Sequence, residues 1–268
     1  MKYLSNLYND VFKSAAESMG LHTIIRNTYW KGRYLRHPGV ASHDINGITA
    51  NFQVTNHSEC RRLSELMGES RIIADLLAEL REDDIVYDIG ANIGMYTCFV
   101  AQRLPADNVV AFEPYPKNID ALEANLSLND TAAAVVEKAL ADTSGTTDLA
   151  VRSAIAGEGR HALDTGGAER TIEVPVTTGD NIAGQTKPAP SIVKIDVEGS
   201  ELRVLEGFAE TLSSQACRCC YVEVHPDRLQ KFGASVDAVT DFLTEVGFEL
   251  TILYDREAEL FIKGKKEV

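Results

Sequence analysis

The chain has 268 residues, 44% of them hydrophobic and 25% charged, the composition of an ordinary globular protein with enough length for a substantial core. Lysine plus arginine number 26 against 40 for aspartate plus glutamate, and the formal net charge of -14 would repel a polyanion over most of the surface, which argues against a nucleic-acid substrate. No stretch approaches the roughly 20 apolar residues of a membrane span, and the opening MKYLSNLYND lacks the unbroken apolar run of a signal peptide, so the expected location is the cytoplasm.

Residues 1–57 read as an N-terminal cap and residues 58–268 as the main domain. Tyr3, Leu4, Leu7, Tyr8, Val11 and Phe12 mark an amphipathic helix, and ITANFQV alternates as a strand does. From Ser58, a plausible N-cap, to Leu80 the apolar residues follow a helical period. Strand-like and helix-like runs then alternate: IVYDI, a helix from about Met95, NVVAFEP, a helix over about Lys117 to Leu128, and AVVEKAL. After a polar, glycine-rich stretch that includes a loop over Gly157 to Arg170 come SIVKIDV, a helix over about Ser200 to Leu212, CYVEVHP and a helix over about Val236 to Val246. Strands rich in valine and isoleucine, separated by helices, indicate an α/β fold with a doubly wound, mostly parallel sheet. The final runs FELTILY and ELFIK are joined only by DREA, too short for a crossover helix, so the last strand is antiparallel. Five cysteines are an odd number, and the cluster Cys217, Cys219 and Cys220 runs into the apolar strand YVEV; core packing is preferred there over a disulfide or zinc site.

Four motifs carry chemistry. In IVYDIGANIGMYT, Asp88 and Gly90 end a strand and Gly94 opens a helix, with the spacing Gly-x-Asn-x-Gly that departs from the dinucleotide fingerprint G-x-G-x-x-G. The next strand ends in Glu113, an acid placed to accept hydrogen bonds from ribose hydroxyls, followed by Pro114. In SIVKIDVEGSELRVLEGF, Lys194, Asp196 and Glu198 share one side if the strand stays regular, with Glu201 close by; burying such groups requires a ligand, a metal or mutual pairing. The strand YVEVHP sets Glu223 and His225 on one side, and a neutral imidazole near a hydroxyl can take its proton.

The blocks DIGANIGMYT, VVAFEPYPKNIDALEANLSLN, VEKALADTSGTTDL, VKIDVEGSELRVLEGF and YVEVH, in this order over about residues 84–225, resemble the FkbM family of S-adenosylmethionine-dependent methyltransferases. The resemblance implies the Rossmann-like class I methyltransferase fold, with seven strands and an antiparallel last one. It implies O-methylation of a hydroxyl on a sugar, glycan component or small natural product. By position it implies that Asp88, Gly90, Asn92 and Gly94 line the methionine and ribose side of the cofactor, that Glu113 holds the ribose, and that the neighbourhood of Ala139 packs on adenine, with Lys138 and Asp142 as further candidates. Asp196 would lie beside the transferred methyl, with Glu198, Glu223 and His225 around the acceptor.

Methyl transfer needs in-line alignment and removal of a proton, which a base or a metal near the acceptor can provide. Asp196, Glu198, Glu223 and His225 offer ligands for a divalent ion such as Mg or Mn, but they serve equally as a metal-free acid/base set, and that reading is adopted. Two other functions fit parts of the pattern: a nicotinamide-dependent oxidoreductase, and a cofactor-binding but catalytically idle partner in a glycan or natural-product assembly complex. The expected partner is a small-molecule or glycan acceptor; the oligomeric state is not legible.

Overall fold

The computed structural model describes residues 22–36, 39–64, 66–151, 161–163, 166, 168–256 and 259–267. The helix expected over Tyr3 to Phe12 and half of the Gly157 to Arg170 loop lie outside them. Helix α1 (His22–Arg36) precedes a hairpin of β1 (Gly39–Ile45) and β2 (Ile48–Val54). Its two-residue turn, Asn46 and Gly47, takes φ of 55° and 79°, the left-handed pair that matches the twist of a hairpin. The Ser58 to Leu80 segment is not continuous. It divides into α2 (His57–Arg62), a tight turn over Leu66–Gly68 and α3 (Ser70–Glu79), because Leu66 and Gly68 adopt φ of 48° and 84°, which no helix contains.

The alternating core follows as β3 (Val86–Ile89), α4 (Met95–Val100), β4 (Val109–Phe112), α5 (Pro116–Leu128) and β5 (Ala134–Val136). Pro116 at the first turn of α5 costs no hydrogen bond there and presets the helical φ. AVVEKAL, expected as one strand, is shared between two sheets: β5 belongs to the main sheet, while β6 (Ala139–Leu140) joins a second sheet with β7 (Gly145–Ala150), β8 (Ala162–Leu163) and β9 (Thr171–Thr177) in the order β6-β9-β7-β8. The chain returns as β10 (Ile192–Ile195), α6 (Glu201–Glu206), α7 (Ala209–Ser213), β11 (Cys219–Val224), α8 (Pro226–Leu229), α9 (Val236–Glu245), β12 (Glu249–Arg256) and β13 (Glu259–Lys265). The single helix expected over Ser200 to Leu212 breaks at Gly207, where a Cβ would stand 2.0 Å from the Ala141 carbonyl oxygen.

The main sheet has seven strands in the order β12-β13-β11-β10-β3-β4-β5. β3, β4, β5, β10 and β11 are parallel, and β13 runs antiparallel to both its neighbours. The antiparallel strand is therefore the last in the chain but not at the edge of the sheet: it lies between β11 and β12. This is the class I methyltransferase architecture. Both faces are covered, so β3, β4, β10 and β11 are buried along their whole length. Cys219 packs into the core on one face and Cys220 into the core on the other, and all five cysteines are buried and free, Cys217 among them. The β1–β2 hairpin rests on the first of these faces. Phe52 packs against Phe99 at 6.1 Å, and the α5 side chains Asn125 and Asn129 accept the Gln53 and Asn51 amides at 2.8 and 2.7 Å. The chain leaves β3 for β4 on one side and returns through β10 on the other, so the C-terminal ends of β3 and β10 flank the crevice where α/β sheets bind ligands.

Candidate active site

The turn after β3 is fixed by its backbone. Gly90, Asn92 and Gly94 take φ of 76°, 53° and 85°, and the Gly90 and Ala91 amides both donate to the Phe112 carbonyl at 3.0 Å. A Cβ on Gly90 would lie 1.8 Å from the Asp196 carbonyl oxygen, so glycine is needed for close approach of the β10 exit, one strand over. At Gly94 a Cβ would lie 2.3 Å from Leu122 Cδ1, so this glycine seats α4 against α5.

Glu113, buried at the end of β4, accepts the Asn92 amide at 2.8 Å on one carboxyl oxygen and the Tyr115 amide at 2.9 Å on the other. Burial pushes its pKa up to about 7 against the lowering effect of the two amides. A side-chain hydrogen bond from Asn118 acts in the same lowering direction. Glu113 borders a cavity with an empty volume of about 630 Å³. One end of the cavity is apolar, with Pro114, Ala139, Leu140, Leu149 and Leu163 beside His161, whose ring lies 4.1 Å from Tyr115. The other end is polar and is bordered by Gly90, Asn92, Asp196, Glu198, Ser200 and Arg62.

Of the residues assigned to the cofactor from sequence, Gly90, Asn92, Glu113 and Ala139 stand on this wall, as does Lys138. Asp88, Gly94 and Asp142 do not. Asp88 is turned into the core, where Thr97 donates its amide at 3.1 Å and its hydroxyl at 2.6 Å, and Lys194 pairs with it at 3.0 Å. Asp142 pairs instead with Arg203 at 3.3 Å.

Lys194, Asp196 and Glu198 do not share the side of a regular strand, because β10 ends at Ile195 and Glu198 and Gly199 take φ of 60° and 115°. Lys194 is buried, reaching the Gly90 carbonyl at 3.3 Å and lying 4.9 Å over the Tyr96 ring. Burial would lower its pKa, but Asp88 and Asp196 outweigh it and raise it to about 12. This pairing satisfies the charge that the sequence placed on a central strand.

Asp196, Glu198, Glu223 and His225 do come together. His225 caps α8 at the end of β11 and is 4% exposed. Its Nε2 lies 3.5 Å from Glu198 and 3.9 Å from Asp196, and its Nδ1 lies 2.8 Å from Glu201, which is fully buried. Burial opposes charge on the ring, but Glu201, Asp196 and Glu223 prevail and raise its pKa to about 9. The surrounding carboxylates therefore favour the imidazolium form of the ring. Glu198 also pairs with Arg228. Glu223 accepts the Tyr254 hydroxyl at 3.0 Å, and burial together with Asp196 and Glu69 raises its pKa to about 8. Ligand atoms of Asp196, Glu198 and His225 lie within 4.8 Å of one another, as do those of Glu223, His225 and Glu259.

Arg62, Glu69, His161, Glu201, Tyr254 and Glu259 were not assigned from sequence. They come from segments far apart in the chain, and only Glu201 stood near a recognised motif.

A Rossmann-like sheet with an acid on a cavity at its C-terminal edge, and a histidine among carboxylates beside it, is the arrangement of an enzyme that binds a nucleoside cofactor. A family model, the methyltransferase FkbM domain, matches residues 88–250. The chain is 32% identical over 235 residues to the hexuronic acid methyltransferase AglP of Haloferax volcanii, covering 87% of this chain and 91% of the relative. It is 33% identical over 178 residues to the 31-O-demethyl-FK506 methyltransferase FkbM of Streptomyces tacrolimicus, covering 55% of this chain and 67% of that one. The solved structure of methyltransferase FkbM from Methylobacillus flagellatus aligns over 98% of this chain and 70% of its own, with 13% identity and a TM-score of 0.47. The chain belongs to the FkbM methyltransferase family, and it is an S-adenosylmethionine-dependent methyltransferase. The nicotinamide alternative falls with that membership. Among the described residues, no helix is long and apolar enough to cross a membrane.

Proposed function

We propose that the chain methylates an oxygen, a hydroxyl on a sugar, glycan component or small natural product. One observation carries this reading: Asp196 and Glu198 border the cofactor cavity and also face His225 Nε2, so cofactor and proton acceptor meet at one place. The names of two relatives, a hexuronic acid methyltransferase and a 31-O-demethyl-FK506 methyltransferase, agree with it.

The cavity fits the cofactor in its parts, with an apolar slot for a base, Glu113 for a ribose and a charged end for an amino acid. When bound, S-adenosylmethionine supplies an electrophilic methyl carbon. The protein's residues do the rest. Gly90, Asn92 and Glu113 hold the ribose side, Ala139 and Lys138 border the base, and Asp196 stands where the methyl is transferred. Glu198 and Glu223 orient the acceptor, and His225 in its neutral form takes the hydroxyl proton as the new carbon–oxygen bond forms. The proposed division is a cap at residues 1–57 and a catalytic domain at 58–268; of the cap's described residues, β1 and β2 form a sheet of their own. Five buried free thiols agree with a reducing cytoplasm.

A second reading is favoured by the two ligand groups centred on His225: a divalent ion held there would activate the hydroxyl instead. The test is methyl transfer from labelled cofactor to purified uronic-acid and neutral glycosides, with and without chelator. Base-stable methyl ether, formed equally in chelator, is the expected product. Base-labile ester or N-methyl product would overturn the hydroxyl reading, and loss of activity in chelator with rescue by Mg or Mn would establish the metal reading.

A further inference from the structure

We propose that Arg62 binds the carboxylate of the cofactor's amino-acid portion, so that a residue outside the family-matched span completes the cofactor site. The inference rests on the cavity being the S-adenosylmethionine site. Among the described residues, the cavity wall carries two formal cations, Arg62 and Lys138. Lys138 directly precedes Ala139 at the apolar end, which leaves Arg62 for the charged end. That end has the pairing an α-amino acid requires: Asp196 as an acceptor for an ammonium, and one guanidinium for a carboxylate. Arg62 and Asp196 line the same cavity, and Glu69 feels the charge of both.

Local structure makes the placement robust. Arg62 is the last residue of α2, half-buried, and the tight turn at Leu66–Gly68 starts just beyond it. Leu63 and Leu66, one and four residues further on, are buried in the core shared with α4 and the β1–β2 hairpin. The arginine therefore projects from an anchored segment. A guanidinium offers five donors, so it can engage a carboxylate through two parallel hydrogen bonds while keeping a protein partner. The family model begins at residue 88, and the match therefore assigns nothing to this position.

The experiment is titration calorimetry of the wild type, Arg62→Gln and Arg62→Lys with two probes: S-adenosylhomocysteine, which keeps the amino-acid group, and 5′-methylthioadenosine, which lacks it. The expected result is that Arg62→Gln binds S-adenosylhomocysteine about tenfold to a hundredfold more weakly and methylthioadenosine as the wild type does. Arg62→Lys should recover part of the loss. An equal loss for both probes would mean that the substitution damages the cavity, and it overturns the proposal; unchanged binding of both does so too. If the wild type binds neither nucleoside, the cofactor reading of the cavity falls and the inference with it. Strong wild-type binding of S-adenosylhomocysteine that Arg62→Gln retains sinks the inference alone.

Discussion

Glu201 Oε1 lies 2.8 Å from His225 Nδ1 and accepts the Gly199 amide at 2.9 Å, so one buried carboxylate fixes both the imidazole and the turn that carries Glu198. An imidazole held this way points its Nε2 at the acceptor side and resists losing its proton. A base must be neutral to act, so turnover should rise with pH, reach half its plateau near the raised pKa of about 9 and level off above it. Glu201→Gln removes an anion that favours the imidazolium, so the plateau should begin at lower pH. The linkage also has a stability side: the folded pKa of about 9 exceeds the ordinary 6.5, so stabilisation from charged His225 is complete below pH 6.5 and fades as pH rises through 9. A pH–rate profile of the wild type and Glu201→Gln reads the first effect; coincident limbs would remove His225 as the titrating base.

His225→Ala should lower turnover by about 10²- to 10⁴-fold and leave cofactor affinity intact, because His225 is not on the cavity wall. A variant that methylates a true acceptor at the wild-type rate refutes the assignment. A variant with weakened cofactor binding would show that the ring supports the cavity through Glu198 and Asp196.

Glu113→Ala should weaken cofactor binding by about 1.5 to 3 kcal/mol. It also leaves the Asn92 and Tyr115 amides without their acceptor, so thermal stability should drop at the same time. Calorimetry with S-adenosylhomocysteine measures the first effect and a melting curve the second. Unchanged affinity would take Glu113 out of the site.

Gly90→Val should fail for a reason internal to the fold. The new side chain meets the Asp196 carbonyl oxygen, backbone that cannot move without displacing β10, and a φ of 76° is costly for a β-branched residue. Even Gly90→Ala should lose stability before any ligand is present, which denaturant unfolding of the unliganded protein would detect. Wild-type unfolding with weak cofactor binding would instead locate the effect in the approach path of the ligand.

At the opposite edge of the sheet, Arg218 is buried and pairs with Asp84 and Glu79. Removing it leaves the buried Asp84 carboxylate without its cation, while Glu79 keeps Lys263 and Lys265, so Arg218→Ala should cost about 3 to 5 kcal/mol of stability. Cofactor affinity of the folded fraction should be unaltered. A melting temperature equal to that of the wild type would show that the pair contributes nothing.

Periodicity made the main sheet legible because its strands are short valine and isoleucine runs buried on both faces, and its helices end at recognisable residues such as Pro116 and Val236. The second sheet was missed. Its strands are two to seven residues long, polar on one side and rich in threonine, and only two residues separate Ala139–Leu140 from β5. At the site, Glu113, Asp196 and His225 were visible because each ends a strand, where the period of two predicts direction. Asp88 was assigned too generously: a strand-end acid next to a glycine turn looks ligand-facing, yet Thr97 on the next helix and Lys194 on the adjoining strand had first claim on it. Arg62 and His161 carried no local signal, because only the folded chain brings α2 and β8 to the same cavity.

The position of β13 between β11 and β12 orders the assembly of the sheet in time. Once β11 has paired with β10 its other side is open, and β12 can reach the sheet only through β13, which follows it in the chain. The β12–β13 hairpin, closing locally within microseconds, must then dock as a unit along β11, burying Phe261 and Ile262 on opposite faces. Until it does, β11 is an exposed apolar edge and Glu223 lacks its Tyr254 partner, so the acceptor side of the site is the last part of the enzyme to come into being.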